Sequence, residues 1–292
     1  MQWLKGCLES TESYSVIVVD NNSTDKTVSF IKAHYPSIII LEQNENLGFG
    51  KANNIGIRYA LDNRADAVFL LNQDAYLTAG TLKELIEIQE EKPEFGVLSP
   101  IHLNGTGDKL DINFSKHLNQ TNTNEFYSDH VLQRALKPVY ISPFVNAAGW
   151  LISRRCLMTV GGFDPIFFHY GEDDNYCQRV LFHGFKIGVV PNTFLKHDRK
   201  NQTLEKITFA SEEYYKDFEK NVKVKQANIN MPFTVELKNI IKRRKSAWLK
   251  SILKLKFKAA KIYQNEYEFY KRISPEIEKS RKKNKTQGSH YI

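Results

Sequence analysis

Carboxylates end two apolar stretches of this 292-residue chain, and both could serve a ligand. Asp20 closes YSVIVVD and Asp74 closes DAVFLLNQD. Either acid alone is compatible with a polar strand end that caps the next helix. The two together, at the ends of separate strands, favour one binding site, because ligands of open α/β sheets bind beyond the carboxyl ends of the strands.

The second of these stretches has the residue types of a metal site. Asn72 and Asp74 lie two residues apart, so an extended segment would point both to the same side. Their oxygens are hard ligands suited to Mg²⁺ or Mn²⁺, and such an ion would in turn bind a diphosphate. His197 follows a later apolar stretch and would add an imidazole, although a lone histidine is also compatible with a structural role.

Three adjacent acids, Glu172, Asp173 and Asp174, open the segment EDDNYCQRVLF. Helical spacing from Asp173 leads to Cys177 and Val180, which predicts a helix that starts near Glu172 and carries Asp173 in line with its buried face. Acids in a first turn can simply complement the helix dipole. That role does not explain an acid on the apolar face, where a partly buried carboxylate could act as a general base.

The elements that would position these residues alternate along the chain. Apolar runs predict strands, and 3.6-residue periodicity after turn residues predicts helices. We expect strands at 14–20, 37–43, 66–74, 95–103 and 185–197, and a helix at 81–93. The stretches 21–35 and 44–63 each predict turn or loop residues followed by a helix, the first through Val28, Ile31 and Tyr35 and the second through Ile55, Tyr59 and Ala60. Right-handed crossovers between such units predict an α/β fold with a mainly parallel central sheet, flanked by helices and including a Rossmann-like nucleotide-binding half.

The remaining segments are less regular. Residues 104–130 are polar and predict a surface excursion, and Ser153 would cap a short helix in the apolar segment 139–163. The chain opens with a helical pattern, QWLKGCLEST, directly before its first strand. We expect one catalytic domain at 1–200 and a helical, basic extension at 201–292.

Composition limits the class of protein. The chain is 41% hydrophobic and 25% charged, as in soluble globular proteins. Its three widely spaced cysteines predict small buried side chains rather than disulfides or a zinc site. Without a membrane-spanning run or a signal-peptide layout, we expect a cytoplasmic location. Peripheral attachment to the inner face of the plasma membrane remains open.

The net charge of +8 resides in the tail, since residues 236–285 carry 17 Lys and Arg against 5 Glu, which leaves −4 for the rest. The stretch 237–264 predicts a basic amphipathic helix. Such a helix can lie on an anionic membrane surface, or it can pack its apolar face on the catalytic domain. The charge would also suit nucleic acid, but the chain has no recognisable nucleic-acid-binding module and we expect no such partner.

Five stretches match, in order, the pattern of a known family: VIVVDNNSTDKT, NENLGFGKANNIGIRYAL, LLNQDAYL, GGFDPIFFHYGEDDNYCQRVLFHGFKIG and a later KH. Over roughly residues 1–200 the chain resembles family 2 glycosyltransferases with the GT-A fold, and in particular their bacterial rhamnosyltransferase-like group. The resemblance implies an inverting, metal-dependent hexosyl- or rhamnosyltransferase of cell-surface polysaccharide synthesis. It would move a sugar from a nucleotide-diphosphate-sugar to a hydroxyl of a glycan or lipid-linked acceptor.

The resemblance also implies roles for individual residues on the donor side. Residues expected to bind the nucleotide-sugar are Asp20, Asn22, Asn46, Gly48, Asn53, Asn72 and Asp74. Asp74 would bind the Mg²⁺ or Mn²⁺ ion and through it the diphosphate, and His197 would complete the metal shell.

On the acceptor side, Asp173 would be the base that removes the proton of the acceptor hydroxyl. Glu172 would orient or contact the acceptor, and Asp174 would face solvent. Gly149 and Trp150 fall in the segment that would line the donor-sugar and acceptor site.

The sequence departs from the family pattern in three places. It starts inside the first helix, without the apolar strand and Thr/Tyr-Asn turn that normally come before, so we expect an N-terminally truncated domain. Asn72 replaces the first acid of an Asp-x-Asp motif, and Asn175 replaces the last acid of Glu-Asp-x-Asp. The alternative function is therefore a catalytically inactive remnant that keeps the fold and acts as a binding or scaffold protein.

Overall fold

The structure is a computed structural model that describes residues 2–11, 14–119, 121–199, 211–232 and 235–292. Its first half contains α1 (Gln2–Glu9), β1 (Ile17–Asp20), α2 (Thr27–His34), β2 (Ile39–Glu42), α3 (Phe49–Asp62), β3 (Ala67–Leu71), β4 (Ala75–Leu77), α4 (Thr81–Glu91) and β5 (Phe95–Asn104). Its second half contains α5 (Ile112–Ser115), α6 (Asn124–Val131), β6 (Tyr140–Ile141), β7 (Gly149–Ser153), α7 (Arg154–Val160), α8 (Glu172–Phe182), β8 (Lys186–His197), α9 (Glu212–Gln226), α10 (Val235–Leu253) and α11 (Phe257–Asn284). The predicted strands and helices are confirmed, with shifts at their ends.

The strands form a mixed arrangement rather than a mainly parallel sheet. β1 and β2 pair in parallel as a two-stranded sheet, and the six-stranded sheet has the order β3-β7-β5-β8-β4 with β6 on β8. Only β5 and β8 run parallel there, since β7 pairs antiparallel with both β3 and β5. β4 and β6 also run antiparallel to β8. The predicted α/β class holds, but the mainly parallel pairing does not, because β4, β6 and β7 pair antiparallel with strands that lie far from them in the chain, which a local pattern does not encode.

The first three strands do not share one sheet. In the part of the chain that the structure describes, β1 pairs only with β2 and β3 pairs only with β7, while α3 packs on both β1 and β3. Their apolar side chains are consequently only partly buried: Ile17, Val18 and Val19 of β1 keep intermediate exposure. An almost continuously apolar run such as 14–20 predicts a strand buried on both faces of a sheet, and that prediction is wrong for β1.

The core lies between the six-stranded sheet and helices α3, α7 and α8. Two residues of the supposed surface excursion belong to it, because Phe114 and Phe126 are buried in this core. The polar residues around them concealed these anchors, so the segment packs against β5 instead of standing off in solvent. Cys7, Cys156 and Cys177 are buried and free, as predicted.

Helices α7 and α8 follow from local sequence. The Ser153 hydroxyl caps α7, as expected, by accepting a hydrogen bond from the Cys156 NH at 3.2 Å. Helix α8 starts at Glu172 after Gly171, whose φ of +92° suits glycine. Its buried face includes Cys177 and Val180, which confirms the predicted helical phase.

A buried arginine ties α8 to its surroundings. Arg179 donates hydrogen bonds to the Asn175 side chain at 3.1 Å, to the Val160 carbonyl at 3.0 Å and to the Asn284 side chain at 3.4 Å. Such contacts satisfy a guanidinium that burial would otherwise make costly. Asn284 ends α11, so the last long helix braces the helix that carries Asp173.

The basic tail is a helical hairpin and not one helix over 237–264. Helix α10 ends at Leu253 and α11 starts at Phe257, and the two pack against each other. No described helix is both long and apolar enough to span a bilayer. The predicted boundary at residues 200 and 201 lies outside the described residues, and the division into two domains stays a prediction.

Candidate active site

Asp74 and His197 meet at one end of the six-stranded sheet. The Oδ1 atom of Asp74 lies 3.2 Å from Nε2 of His197, because β4 pairs with the last residues of β8. The Asp198 NH donates to the Asp74 carbonyl at 2.8 Å and fixes the register. Two residues 123 positions apart are thereby held as a pair.

The environment keeps the Asp74 carboxylate ionised. Burial disfavours its charge, but the hydrogen bond with His197 and the nearby charge of Arg199 outweigh burial and lower the pKa of Asp74 below its usual value. The Asp74 side chain keeps 34% of its surface exposed, whereas the His197 side chain keeps 2%. The carboxylate is therefore accessible to a ligand, while the imidazole that contacts it is buried.

The segment that joins β3 to β4 differs from the extended geometry we expected. The Ala75 NH donates to the Asn72 carbonyl at 3.0 Å, so residues 72–75 form a turn. The Asn72 NH in turn donates to the Ala148 carbonyl at 3.1 Å, and the Cys7 thiol donates to the Asn72 carbonyl at 3.4 Å. The extended segment predicted for Asn72 and Asp74 is wrong, because the chain turns between them.

The donor set at this turn fits a divalent cation. An ionised carboxylate with exposed surface and an adjacent imidazole are two suitable ligands, and a diphosphate and water would supply the other positions. The buried Nδ1 atom of His197 has no hydrogen-bond partner, so the orientation of the ring is set through Nε2. Within the described residues no three His, Cys, Asp or Glu side chains converge, so Asp74 and His197 would hold the ion with help from its ligand.

The end of β1 and the loop before α3 bring a second group of predicted site residues together. Asp20 is buried, and its Oδ2 accepts a hydrogen bond from the Ser23 NH at 3.0 Å. Asn21, which the sequence did not single out, donates to the Asn46 side chain at 2.9 Å and accepts from the Leu47 NH at 2.8 Å. The two loops are therefore joined side chain to side chain.

Other predicted donor residues occupy the same loops. Asn22 is exposed and has a φ of +66°, a left-handed conformation that asparagine tolerates. The Asn46 side chain accepts from the Gly48 NH at 2.9 Å and so shapes the glycine turn. Asn53 lies one turn inside α3 and donates to the Phe49 carbonyl at 2.9 Å.

Gly48 brings the donor-side loop against the loop before α8. Its φ is +78°, and a Cβ atom there would overlap the carbonyl oxygen of Phe168. Two residues later, a Cβ atom on Gly50 would lie 3.9 Å from Cβ of Glu172. Gly48 permits this close approach, and the contact near Gly50 places the predicted nucleotide loop beside Glu172, the first residue of α8.

Asp173 has the environment of a base that works near neutral pH. Burial and repulsion from Asp174 and Glu172 raise the pKa of Asp173 to about 7, against the opposing hydrogen bonds from the backbone NH groups of Asp174 and Ala147. The side chain keeps intermediate exposure, so a ligand can reach it. A carboxyl with such a pKa can accept a proton at neutral pH and hold it.

The two neighbouring acids have distinct surroundings. Glu172 is buried, burial raises its pKa, and its Oε2 atom has no hydrogen-bond partner. Asp174 was expected to face solvent, but it is half-buried beside α9. Burial raises its pKa and the charge of Lys220 partly opposes the shift. The extension packed against this side explains the difference.

One short segment joins the two halves of the site. Ala147 donates its NH to Asp173, while Ala148 accepts the hydrogen bond of Asn72. Val145 accepts a long contact of 3.9 Å from the Cys177 thiol on α8. Residues 145–148 therefore fix the proposed base relative to the turn that carries Asp74.

Trp150 does not line the cleft as expected. It is 0% exposed and packs in the core at 6.1 Å from Phe163 and 5.7 Å from Tyr176, measured between ring centroids. Gly149 is also buried, and a Cβ atom there would lie 2.6 Å from Cδ1 of Leu195. Both residues contribute to the close packing of β7. A tryptophan can either pack in a core or stack on a ligand, and the sequence alone does not tell which of the two it does.

His102 is a residue that the sequence did not reveal. It is fully buried on β5, and its Nε2 atom lies 3.2 Å from the Ser99 hydroxyl. Burial, with repulsion from His197 and Arg199, lowers the pKa of His102 to about 3, so the ring stays neutral. A neutral imidazole behind His197 adds no charge to the candidate metal site. Its only sequence signal was a polar residue inside an apolar strand.

The sequence pattern of Glycosyl transferase family 2 matches residues 2–157, which is more than half of the chain. This chain belongs to glycosyl transferase family 2. The match contains Asp20, Asn72 and Asp74, and α8 with Asp173 lies beyond it.

Two relatives of this family 2 protein are rhamnosyltransferases by name. It is 26% identical over 219 residues to the N-acetylglucosaminyl-diphospho-decaprenol L-rhamnosyltransferase of Mycobacterium tuberculosis, covering 67% of this chain and 70% of the relative. It is 25% identical over 200 residues to the dTDP-rhamnosyl transferase RfbF of Shigella flexneri, covering 62% of this chain and 59% of that protein. The predicted rhamnosyltransferase-like resemblance is confirmed.

The fold also matches a solved glycosyltransferase. The mannosyltransferase PcManGT from Pyrobaculum calidifontis, in complex with GDP-Man and Mn²⁺, superposes with a TM-score of 0.54 at 17% identity. The likeness covers 78% of this chain and 59% of that one. It confirms the predicted α/β fold of the GT-A type.

Proposed function

We propose that the protein is an inverting, metal-dependent glycosyltransferase. It transfers a hexose or rhamnose from a nucleotide-diphosphate-sugar to a hydroxyl of a glycan or lipid-linked acceptor in cell-surface polysaccharide synthesis. The main support for this proposal is that one segment, residues 145–148, contacts both the candidate base and the turn that carries the candidate metal ligand. This segment contacts Asp173, whose pKa is about 7, and the turn of the ionised Asp74.

Asp173 acts as the general base. Its carboxylate takes the proton of the acceptor hydroxyl, the hydroxyl oxygen attacks the anomeric carbon, and the bond from that carbon to the diphosphate breaks with inversion. The nucleoside diphosphate leaves with the electron pair. Such a reaction depends on positioning, and the close approach of Gly48 to Phe168 holds donor and acceptor loops together.

Asp74 and His197 hold Mg²⁺ or Mn²⁺ in this proposal. When bound, the ion neutralises charge on the diphosphate. Asp20, Asn22, Asn46, Gly48 and Asn53 bind the nucleotide-sugar, with Asn46 shaped by its contact with Asn21. Glu172 contacts the acceptor from the first turn of α8.

A cytoplasmic location is part of the proposal, because nucleotide-sugars are made there. A lipid-linked acceptor would bring the protein to the inner face of the plasma membrane. The basic extension supports this, since residues 236–285 carry a net charge of +12.

Calorimetric titration with nucleoside diphosphates tests the proposal. We expect binding in the presence of Mg²⁺ or Mn²⁺ that weakens when the metal is chelated. A panel of nucleotide-sugars, screened for thermal stabilisation and for release of nucleoside diphosphate on transfer, then identifies the donor. No binding to any nucleoside diphosphate with metal present would favour the alternative, a family member that keeps the fold as a binding or scaffold protein.

A further inference from the structure

The tip of the α10–α11 hairpin exposes apolar side chains. We call residues 253–258 the hairpin tip. Leu253 is 84% exposed, Leu255 is 73% exposed and Phe257 is 68% exposed. They are three of the four most exposed large apolar side chains in the described residues. Scattered single residues of this kind are common, but a cluster at one end of a helical hairpin indicates contact with something apolar.

The backbone of the tip adds a second observation. Leu255 has a φ of +55°, a left-handed conformation in which glycine or asparagine is normally found. A leucine there costs backbone strain and also places an apolar side chain in water. A tight turn that served only to reverse the chain would not need this residue.

Incomplete packing does not explain these exposed residues. Lower in the hairpin, Trp248 stacks on Tyr267 with centroids 5.8 Å apart, and Arg244 pairs with Glu266 at 3.2 Å. Leu237 and Ile273 are buried at its base. The side chains between the two helices therefore pack against each other below the tip. Exposed apolar side chains are concentrated at the tip and just before it, where Leu249 and Ile252 are also exposed.

Charge around the tip is of one sign. From residue 237 to 265 the chain carries ten Lys and Arg and no Asp or Glu. Lys254, Lys256 and Lys258 are exposed and alternate with the apolar residues of the tip. Lysines interleaved with leucine and phenylalanine are the composition that binds anionic lipid headgroups and the acyl region just below them.

The hairpin can carry its tip away from the catalytic half. The Ser280 hydroxyl and the Asn284 amide both donate to Asp164 at 2.6 Å, which anchors the far end of α11 beside α8. At the α-helical rise, the tip lies about 35 Å along the helix from Ser280. That reach lets the tip touch a surface while the cleft stays open.

We infer that the hairpin tip docks the protein on an anionic lipid bilayer, with Leu253, Leu255 and Phe257 inserted among the headgroups and the lysines paired with lipid phosphates. Two other partners fit less well. Self-association would bring many lysines together with no acid in the hairpin tip to offset them. Nucleic acid would use the charge but leave the apolar side chains in water. The inference rests on the proposed function, because a lipid-linked acceptor requires an enzyme at a membrane surface.

The test is vesicle flotation of the full chain. Vesicles of phosphatidylcholine with about one-third phosphatidylglycerol serve as the anionic surface, and pure phosphatidylcholine vesicles as the neutral one. We expect binding to the anionic vesicles that weakens with salt. Replacing Leu253, Leu255 and Phe257 together by Ser should lower the partition coefficient about tenfold or more. Replacing Lys254, Lys256 and Lys258 together by Gln should lower it similarly at low salt.

Matched variants control for overall polarity and charge. Replacing the exposed Ile112, Val131 and Leu132 together by Ser removes three exposed apolar side chains far along the chain from the hairpin tip. Glutamine at Lys279, Lys282 and Lys285 removes three exposed lysines from the other end of α11. Both variants should bind vesicles nearly as the wild type does.

Several outcomes would overturn the inference. These are no binding of the wild type to anionic vesicles, an unchanged partition coefficient in the serine tip variant, and binding to an oligonucleotide duplex instead of vesicles. Dimerisation through the tip without vesicle binding would do the same. Nucleoside diphosphate titration without vesicles is measured on each variant. Failure of the lipid contact alone leaves that titration intact, whereas failure of the proposed function removes it in the wild type.

Discussion

Asp74 and His197 lie 3.2 Å apart, oxygen to nitrogen, although 123 residues separate them in the chain. Asp74→Asn removes the negative charge that a metal ion and its diphosphate need, and keeps the shape of the side chain. We expect the dissociation constant for a nucleoside diphosphate with Mn²⁺ to rise about tenfold or more. Calorimetry measures it. Asp66→Asn, an exposed acid before β3, is the control and should bind as the wild type does. Equal affinity in both variants would remove Asp74 from the site.

Asp173 should control the rate and its pH dependence. The base must be ionised, and burial with neighbouring acids raises the pKa of Asp173 to about 7, so transfer should increase from pH 6 to pH 8. Asp173→Asn should lower the rate about 100-fold or more and leave nucleotide binding intact. Release of nucleoside diphosphate gives the rate. Asp174→Asn is the matched neighbour and should retain transfer. Equal loss in both variants would show that the wrong face of α8 was assigned to the acceptor.

The buried Asp173 carboxylate should also lower the free energy of unfolding at neutral and higher pH. Its pKa is raised in the folded chain from 3.8 to about 7, so the folded state binds this proton more tightly than the unfolded state does. Stability from this group is therefore lost as pH rises from about 4 to 7, following linkage. Asp173→Asn should unfold with a free energy about 1–2 kcal/mol higher at pH 8, and the gain should shrink at pH 5. Urea unfolding at both pH values measures the change, and a pH-independent difference would contradict this account.

Gly48 allows a comparison between strain and steric overlap. Gly48 and Gly184 both have positive φ, +78° and +83°, but only the first has a neighbour where a Cβ would stand. Gly184→Ala should cost about 1 kcal/mol of unfolding free energy from backbone strain alone. Gly48→Ala should cost at least twice as much and weaken nucleotide binding, because the Phe168 carbonyl must move. Similar losses in both variants would mean that the contact between the two loops contributes little.

The sequence predicted what depends on local pattern. The start and phase of α8 follow from the spacing of Asp173, Cys177 and Val180, and the α7 cap follows from Ser153. Burial of the cysteines follows from their type and spacing. Because these features depend on neighbours within a turn or two, one stretch of sequence contains enough information.

Features that depend on distant partners were missed. The direction of β7 is set by its pairing with β3 and β5, which its own residues do not encode. Trp150 has the residue type of a sugar-binding aromatic, yet its position on β7 buries it. The tail divides into two helices at Leu255, and no glycine or proline near this position predicts the turn. His102 lies near His197 because β5 pairs with β8, and these strands are far apart in the chain.

The separation of β1 from β3 affects how the protein behaves in concentrated solution. Within the described residues, each strand leaves one edge without a backbone partner, and both strands are apolar except for Asp20 at the end of β1. Open apolar edges are templates on which other chains can add strands, so they promote slow aggregation. The cationic hairpin counteracts this by keeping copies apart in dilute salt, and raising the ionic strength weakens that protection. Colloidal stability of this protein should therefore fall with salt before its fold does.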